Sequence, residues 1–183
     1  MSTIAKKASQ YIEDGDVVYI NSSSTALMVI DYLKGKKVTV VTNNTKTVTH
    51  SPDSLVKVVL TGGEIGYTND TMVGPYAISS LNGFEANKCI IGCAALNERG
   101  ITTDHMSVMA MNQTMISRTS ELKIVVCDYS KIGLEHKFRY SNLSDIDVIV
   151  TDSRVDKEIL NKIKERFDSK KIVIVEPLGK IEN

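Results

Sequence analysis

The 183-residue sequence lacks the features that would commit it to a special environment, and each shortage excludes something. Charge of one sign is missing: 22 Lys+Arg stand against 22 Asp+Glu, so the formal net charge at pH 7 is zero. A balanced surface has no sequence-independent attraction to nucleic acid or anionic lipid. A long apolar run is missing too. The nearly apolar stretch Cys89 to Leu96 is roughly eight residues long, against the ~20 that a membrane-spanning helix needs. The opening Met1-Ser2-Thr3-Ile4-Ala5-Lys6-Lys7 contains no apolar core with a small-residue cleavage site, which argues against a secretory signal and makes the cytoplasm the default compartment. Proline is scarce at 3 residues and glycine stands at 11, while 42% of residues are hydrophobic, which excludes collagen-like, low-complexity and disordered chains.

Cysteine numbers 3, an odd count, and Cys89, Cys93 and Cys127 lie in or beside apolar segments, so they read as reduced core thiols rather than a disulfide framework. The three histidines, His50, His105 and His136, are widely separated and have no second ligand at metal spacing, so no metal and no cofactor are expected. The length fits a single domain over residues 1–183, which buries roughly 70% of its unfolded surface without staples.

Short β-branched runs alternate with amphipathic segments. Strands are expected at Val17–Ile20, Val38–Val41, Val56–Leu60, Lys88–Ile91, Leu122–Cys127, Val148–Val150 and Ile172–Val175. Helices are expected at Thr3–Asp14, Thr25–Leu33, Lys46–His50, Tyr76–Leu81, Met106–Ser120 and Asp156–Arg166; the fifth buries Val108, Met111, Met115 and Ile116. Glu64 to Met72 is polar with short extended pieces. This order specifies an α/β fold, a mainly parallel, Rossmann-like sheet with helices on both faces.

In such sheets ligands bind beyond the carboxyl ends of the strands. Those positions carry Asn21-Ser22-Ser23-Ser24-Thr25, Thr42-Asn43-Asn44, Thr61-Gly62-Gly63, Asp128-Tyr129-Ser130-Lys131 and Thr151-Asp152, nearly all small and hydrogen-bonding. Successive hydroxyls and free amides at a helix start suit a phosphate. One serine suffices to cap a helix, and Ser22 to Ser24 exceed that need. Thr42-Asn43-Asn44 also fits a plain turn and cap, and Gly62 and Gly63 fit either a turn or a close approach by ligand. Lys131, beside Asp128 and Ser130, is a counter-charge for phosphate or a solvated side chain.

The order of these loops resembles the effector-binding, sugar-phosphate sensor domain of the DeoR family of bacterial transcriptional regulators. That domain shares its fold with ribose-5-phosphate isomerases, glucosamine-6-phosphate deaminases and coenzyme A transferases. The resemblance runs through Gly15-Asp16, Ser24-Thr25, Val41-Thr42-Asn43, Leu60-Thr61-Gly62-Gly63, Gly74-Pro75, Ile91-Gly92, Gly100-Ile101-Thr102, Asp128-Tyr129-Ser130-Lys131 and Ile146-Asp147 with Thr151-Asp152. It implies a phosphosugar held by Asn21 to Thr25 and Lys131, with Thr42, Asn43, Gly62, Gly63 and Asp128 nearby. It also implies homo-oligomers, and operator DNA as a partner only through an N-terminal helix-turn-helix domain, expected to be absent from this chain because Thr3 already begins the sensor. Departures from the family pattern are Asn21 for an acid, Ser23 for a glycine, Asn87 for Asp, Ala94-Ala95 for Asp-Gly and Met109 for Glu, which bear on contacts to sugar hydroxyls.

The expected role is therefore ligand sensing in a repressor, with no catalytic residues. An isomerase or deaminase of the same fold would need a carboxylate base, for which Glu98, Asp104 and Asp128 are the candidates. A coenzyme A transferase-like subunit would need Glu64 or Glu98.

Overall fold

The computed structural model describes residues 1–50, 52–66, 70–168 and 171–177. In chain order its strands and helices are α1 (Ser2–Ser9), β1 (Val17–Ile20), α2 (Ser24–Leu27), β2 (Val38–Thr42), β3 (Val56–Leu60), β4 (Glu64–Ile65), β5 (Met72–Val73), α3 (Pro75–Ser80), β6 (Lys88–Gly92), β7 (Ala95–Asn97), β8 (Gly100–Thr103), α4 (Met106–Ser117), β9 (Leu122–Val126), β10 (Phe138–Ser141), β11 (Val148–Asp152), α5 (Lys157–Lys164) and β12 (Ile172–Val175). Seven strands form one all-parallel sheet in the order β12-β11-β9-β6-β1-β2-β3.

Strand alternation sorts the core into two layers. Val18, Ile20, Val40, Ile90, Ile124 and Val126 face α1 and the α2 segment, burying Ile4, Ala8, Leu27 and Ile30. Tyr19, Val41, Cys89, Ile91 and Val125 point the other way, onto Ala77 of α3, Met111 and Met115 of α4, and Leu160 and Ile163 of α5. Both faces are covered, which is why these strands read as continuous apolar runs. No helix among the described residues is long and apolar enough to cross a membrane.

Several elements differ from expectation. Helix α1 stops at Ser9 because Lys36 Nζ reaches the carbonyls of Ser9 (2.8 Å) and Ile12 (2.7 Å), holding the chain end in a non-helical turn. The segment expected as one helix over Thr25–Leu33 is a single α turn followed by a 3-10 turn, Met28–Tyr32. Likewise Thr45–Thr49 is a 3-10 turn, capped when the Asn44 side chain accepts from Lys46 N (3.0 Å). Strands β10-β8-β7 make a separate antiparallel sheet where no strands are expected, with Asn97–Gly100 as the turn between β7 and β8. Helix α4 ends three residues before Ser120, and Val108 on it is half-buried rather than core. The short extended pieces expected from Glu64 to Met72 are present as the β4–β5 hairpin, with residues 67–69 outside the described residues.

The amino ends of the two central strands share a buried ion pair. Lys88 Nζ lies 2.8 Å from Asp16 Oδ2 and also donates to the carbonyl of Tyr11 at 2.8 Å. Asn87 donates to Asp16 Oδ1 (2.7 Å) and accepts from Val17 N (2.9 Å). Asn87 thus lies at the opposite end of the sheet from the carboxyl-end loops. Burial pushes the Asp16 carboxyl up, but the Lys88 ammonium, the Asn87 amide and the Glu13 amide N–H outweigh it and hold its pKa below the ordinary value.

Lys88→Met should destabilise the protein by about 3 kcal/mol at neutral pH, read from urea unfolding, because an unpaired carboxylate stays buried. A depressed folded pKa contributes stability that is present above the unfolded value of about 3.9 and lost as pH falls through the folded value. The gap between wild type and variant should therefore narrow on acidification. A gap that stays constant from pH 7 to pH 3 would contradict the pairing.

Candidate functional site

β1 and β6 are neighbours, yet the chain runs outward from β1 through β2 to β3 and from β6 through β9 and β11 to β12. Loops leaving their carboxyl ends diverge, and this is where an open parallel sheet forms its crevice. Asn21 closes the seam below it. Its Nδ2 donates to the Gly92 carbonyl at 2.7 Å and its Oδ1 accepts from Gly92 N at 2.9 Å, so the side-chain amide continues the ladder between the two strands. Nδ2 also reaches Asn112 Oδ1 on α4 at 3.1 Å. An aspartate at this position would lack the donor that both carbonyl oxygens receive.

Above the seam lies a cavity of about 490 Å³, lined by all of Asn21 to Thr25 together with Asp128 and Lys131. Ser23 occupies the N-cap of α2 without making a side-chain cap bond. Among the described residues, no hydrogen bond engages the hydroxyls of Ser22, Ser24 or Thr25 either, so the loop's hydroxyls are uncommitted, while the Ser23 amide donates to Asn21 Oδ1 at 3.4 Å. Ser23 packs over Gly92. A Cβ built on Gly92 would lie 1.8 Å from Ser23 Oγ and 2.1 Å from its Cβ, so the glycine in β6 makes room for the serine in the loop.

Thr42, Asn43, Gly62 and Gly63 do not line this cavity. Thr42 Oγ1 accepts from Asn44 N (3.1 Å), and the fully buried Asn43 donates to the Met72 carbonyl (3.0 Å) while its own carbonyl accepts from Met72 N (2.8 Å). This stitching brings residues 70–72 beside Asn44. Gly63 has φ +106, and a Cβ there would meet the Val73 carbonyl at 2.6 Å, so it admits the hairpin against α3. The wall is formed instead by Asn44, the last residue of the Thr42-Asn43-Asn44 loop, with Lys46, Asp70 and Thr71, which the sequence did not single out. Asn44 Nδ2 is buried without a partner, and Lys46 pairs with Asp70 at 2.7 Å.

Across the cavity, Asp128 caps a 3-10 turn over Tyr129–Lys131, accepting from Ser130 N at 2.9 Å. The turn is anchored from β11. Asp152, 1% exposed, accepts from Tyr129 N (3.2 Å) and from Arg154 Nε (2.8 Å), and the Arg154 guanidinium lies 4.3 Å from the Tyr129 ring centroid. Burial pushes Asp152 up, and hydrogen bonds from Arg154 and the two amides overcome that, leaving its pKa lowered. Lys131 itself is exposed and makes no ion pair with any described residue.

The far wall comes from the small antiparallel sheet and α4: Thr103, His105, Val108, Asn112 and Tyr140. The Tyr140 hydroxyl is buried and without a hydrogen-bond partner. These residues fall in segments whose spacing says nothing about direction, and only the hairpin fold brings Tyr140 over the sheet. Of the departures noted in the sequence, Ala94 lines the cavity and Met109 packs on the core. Among the candidate bases only Asp128 is on the cavity. Asp104 pairs with His136 at 2.9 Å, Glu64 is exposed on β4, and Glu98 lies by a different depression with Arg99, Arg139 and Arg166. Among the described residues no cluster of His, Cys, Asp and Glu fits a metal ion.

Residues 2–153 match the family model described as the DeoR C terminal sensor domain. The chain is 28% identical over 150 residues to the HTH-type transcriptional repressor GlcR of Bacillus subtilis, covering 81% of this chain and 58% of that protein. It is 26% identical over 164 residues to the lactose phosphotransferase system repressor of Staphylococcus aureus, covering 88% and 64%. The chain therefore spans roughly three fifths of the length of these curated relatives. Its fold is that of the probable sor operon regulator from Shigella flexneri, with TM-score 0.52 at 9% identity over 91% of this chain and 86% of that one.

Gly92→Ala should lower stability by about 1–3 kcal/mol through overpacking against Ser23. The double variant Ser23→Gly/Gly92→Ala should recover most of that loss in urea unfolding. If the second change restores nothing, the contact is not what keeps position 92 bare.

Proposed function

This chain belongs to the DeoR C-terminal sensor-domain family, and on that premise we propose that it senses a small phosphorylated sugar on behalf of a transcriptional repressor. The observation that carries this reading is the pairing of uncommitted groups across one cavity. The hydroxyls of Ser22 to Thr25 and the amides of Ser24 and Thr25 belong to residues that line the same cavity as Lys131, a cation with no ion-pair partner among the described residues. A phosphate between them receives hydrogen bonds from the loop and a counter-charge from the lysine. The helical turn behind the loop is short, so charge from Lys131 and hydrogen bonding matter more than its dipole.

The other wall suits a polyol. Asn112, Thr103 and the unpartnered hydroxyl of Tyr140 offer donors and acceptors within the same cavity, and Asn44 adds a buried Nδ2 donor without a partner. Thr42, Asn43, Gly62 and Gly63 serve the ligand indirectly, by fixing the wall that carries Asn44 and Thr71. Asp128 shapes the lysine turn through its cap. No proton transfer is required of any of them. Ligand binding changes the relative stability of two arrangements of these loops, and operator affinity in the whole regulator follows from that difference.

Thermal shift with sugars and their phosphates tests this. A phosphorylated sugar at 100 times its dissociation constant should add roughly 2.7 kcal/mol of stability. Lys131→Ala should weaken phosphosugar binding about tenfold or more, the scale of one lost hydrogen bond to a charged group, while leaving the unliganded protein's stability unchanged. Stabilisation by free sugars but never by their phosphates would sink the proposal. Pentose and hexose phosphates incubated with the protein should be recovered unchanged, and turnover abolished by replacing Asp128 would replace sensing with catalysis.

A further inference from the structure

Two thiols in the cavity wall play no part in the sensing described above. β6 and β9 are adjacent and parallel with Gly92 opposite Val126, so Cys93 and Cys127 leave the sheet side by side as the next residue on each strand. Neighbouring strands lie about 4.8 Å apart, inside the roughly 4.4–6.8 Å Cα separation that a disulfide spans. Both residues line the cavity and pack into the same apolar cluster. Both are free thiols, with Cys93 half-buried and Cys127 buried. Cys89, four residues earlier on β6, is about 13 Å away along the strand and fully enclosed.

We propose that Cys93 and Cys127 form an oxidative modification site within the cavity, closing to a disulfide when a small hydroperoxide enters. The roles of the two follow from their surroundings. The neighbouring Cys93 thiol, together with burial, pushes the Cys127 thiol well above its ordinary pKa, so it is the poorer first nucleophile. Cys93, reachable from the cavity, attacks the peroxide. Its sulfur bonds to one oxygen, the O–O bond breaks, and water (or an alcohol from an organic peroxide) leaves with the proton, giving the sulfenic acid. The Cys127 sulfur then attacks the Cys93 sulfur, the S–O bond breaks, and a second water carries away the hydroxyl and the Cys127 proton. Two thiols lose two electrons, and the peroxide gains them.

The new S–S bond of about 2.05 Å replaces a non-bonded contact and draws the two strand ends together. Those ends carry the Asn21 clamp on one side and the Asp128–Lys131 turn on the other. Oxidation therefore moves Lys131 relative to the serine loop and weakens phosphate binding, a consequence that rests on the sensing reading, whereas the disulfide itself does not.

Purified protein treated with one equivalent of hydrogen peroxide and then denatured should fall from three titratable thiols to one. Peptide mapping should find Cys93 joined to Cys127, and dithiothreitol should reverse both results. Cys93→Ser and Cys127→Ala should each abolish the linkage. Cys93 over-oxidised while Cys127 remains a thiol, or a linkage through Cys89, would overturn the proposal. With inorganic phosphate as the probe, the oxidised protein should bind at least fivefold more weakly than the reduced one in a thermal-shift titration. Equal binding by the two forms overturns the regulatory half. Indifference of the reduced protein to phosphate removes that half together with the sensing reading, while the thiol count still decides the modification by itself.

Discussion

A side-chain amide that imitates backbone is the constraint on which this molecule turns. At the carboxyl ends of β1 and β6 the ladder would stop with Gly92 N–H and C=O unpaired, inside a cavity and away from bulk water. Asn21 meets both groups at once and passes a third hydrogen bond to Asn112 on α4. A buried polar group left unmatched is costly, and a carboxylate could supply only acceptors. The asparagine therefore holds the seam shut below the crevice and sets where the serine loop begins. Every group that faces the cavity takes its position from an element leaving this seam or packed on it.

The sheet was legible because burial on both faces leaves a plain imprint: short runs such as Val38 to Val41 and Ile124 to Val126 admit few alternatives. The small antiparallel sheet was not. Phe138 to Ser141 alternates with charge and sits at no expected interval, and Gly100 to Thr103 reads as polar, because these strands pair with one another and present only Ile101 and Tyr140 to the core. Helix extents were over-read where a tertiary contact ends the helix. Lys36 capping the chain beyond Ser9 is invisible in the periodicity of residues 3–14.

At the site, the loops were recognisable by composition and position, and Asn21 to Thr25, Asp128 and Lys131 do converge on one cavity. What composition could not resolve was direction. In Thr42-Asn43-Asn44 three polar residues compete, and a stitch to Met72 turns Asn43 inward, leaving Asn44 at the wall. Tyr140, Asn112 and Cys93 were hidden for a related reason. Each comes from a separate segment, and only strand order and hairpin geometry bring them together.

The clamp also has a bearing on the order in which the chain folds. Ile20 pairs with Thr42 across 22 positions on one side and with Ile90 across 70 on the other. The longer closure carries about 1 kcal/mol more loop entropy. Non-local pairing of this kind is slow, so the β1–β2–β3 half should gain protection before the seam to β6 is sealed. Pulse-labelling hydrogen exchange during refolding would see the Val40 amide shielded before that of Gly92. The reverse order would mean that β6 nucleates the sheet and that the cavity floor is its oldest part.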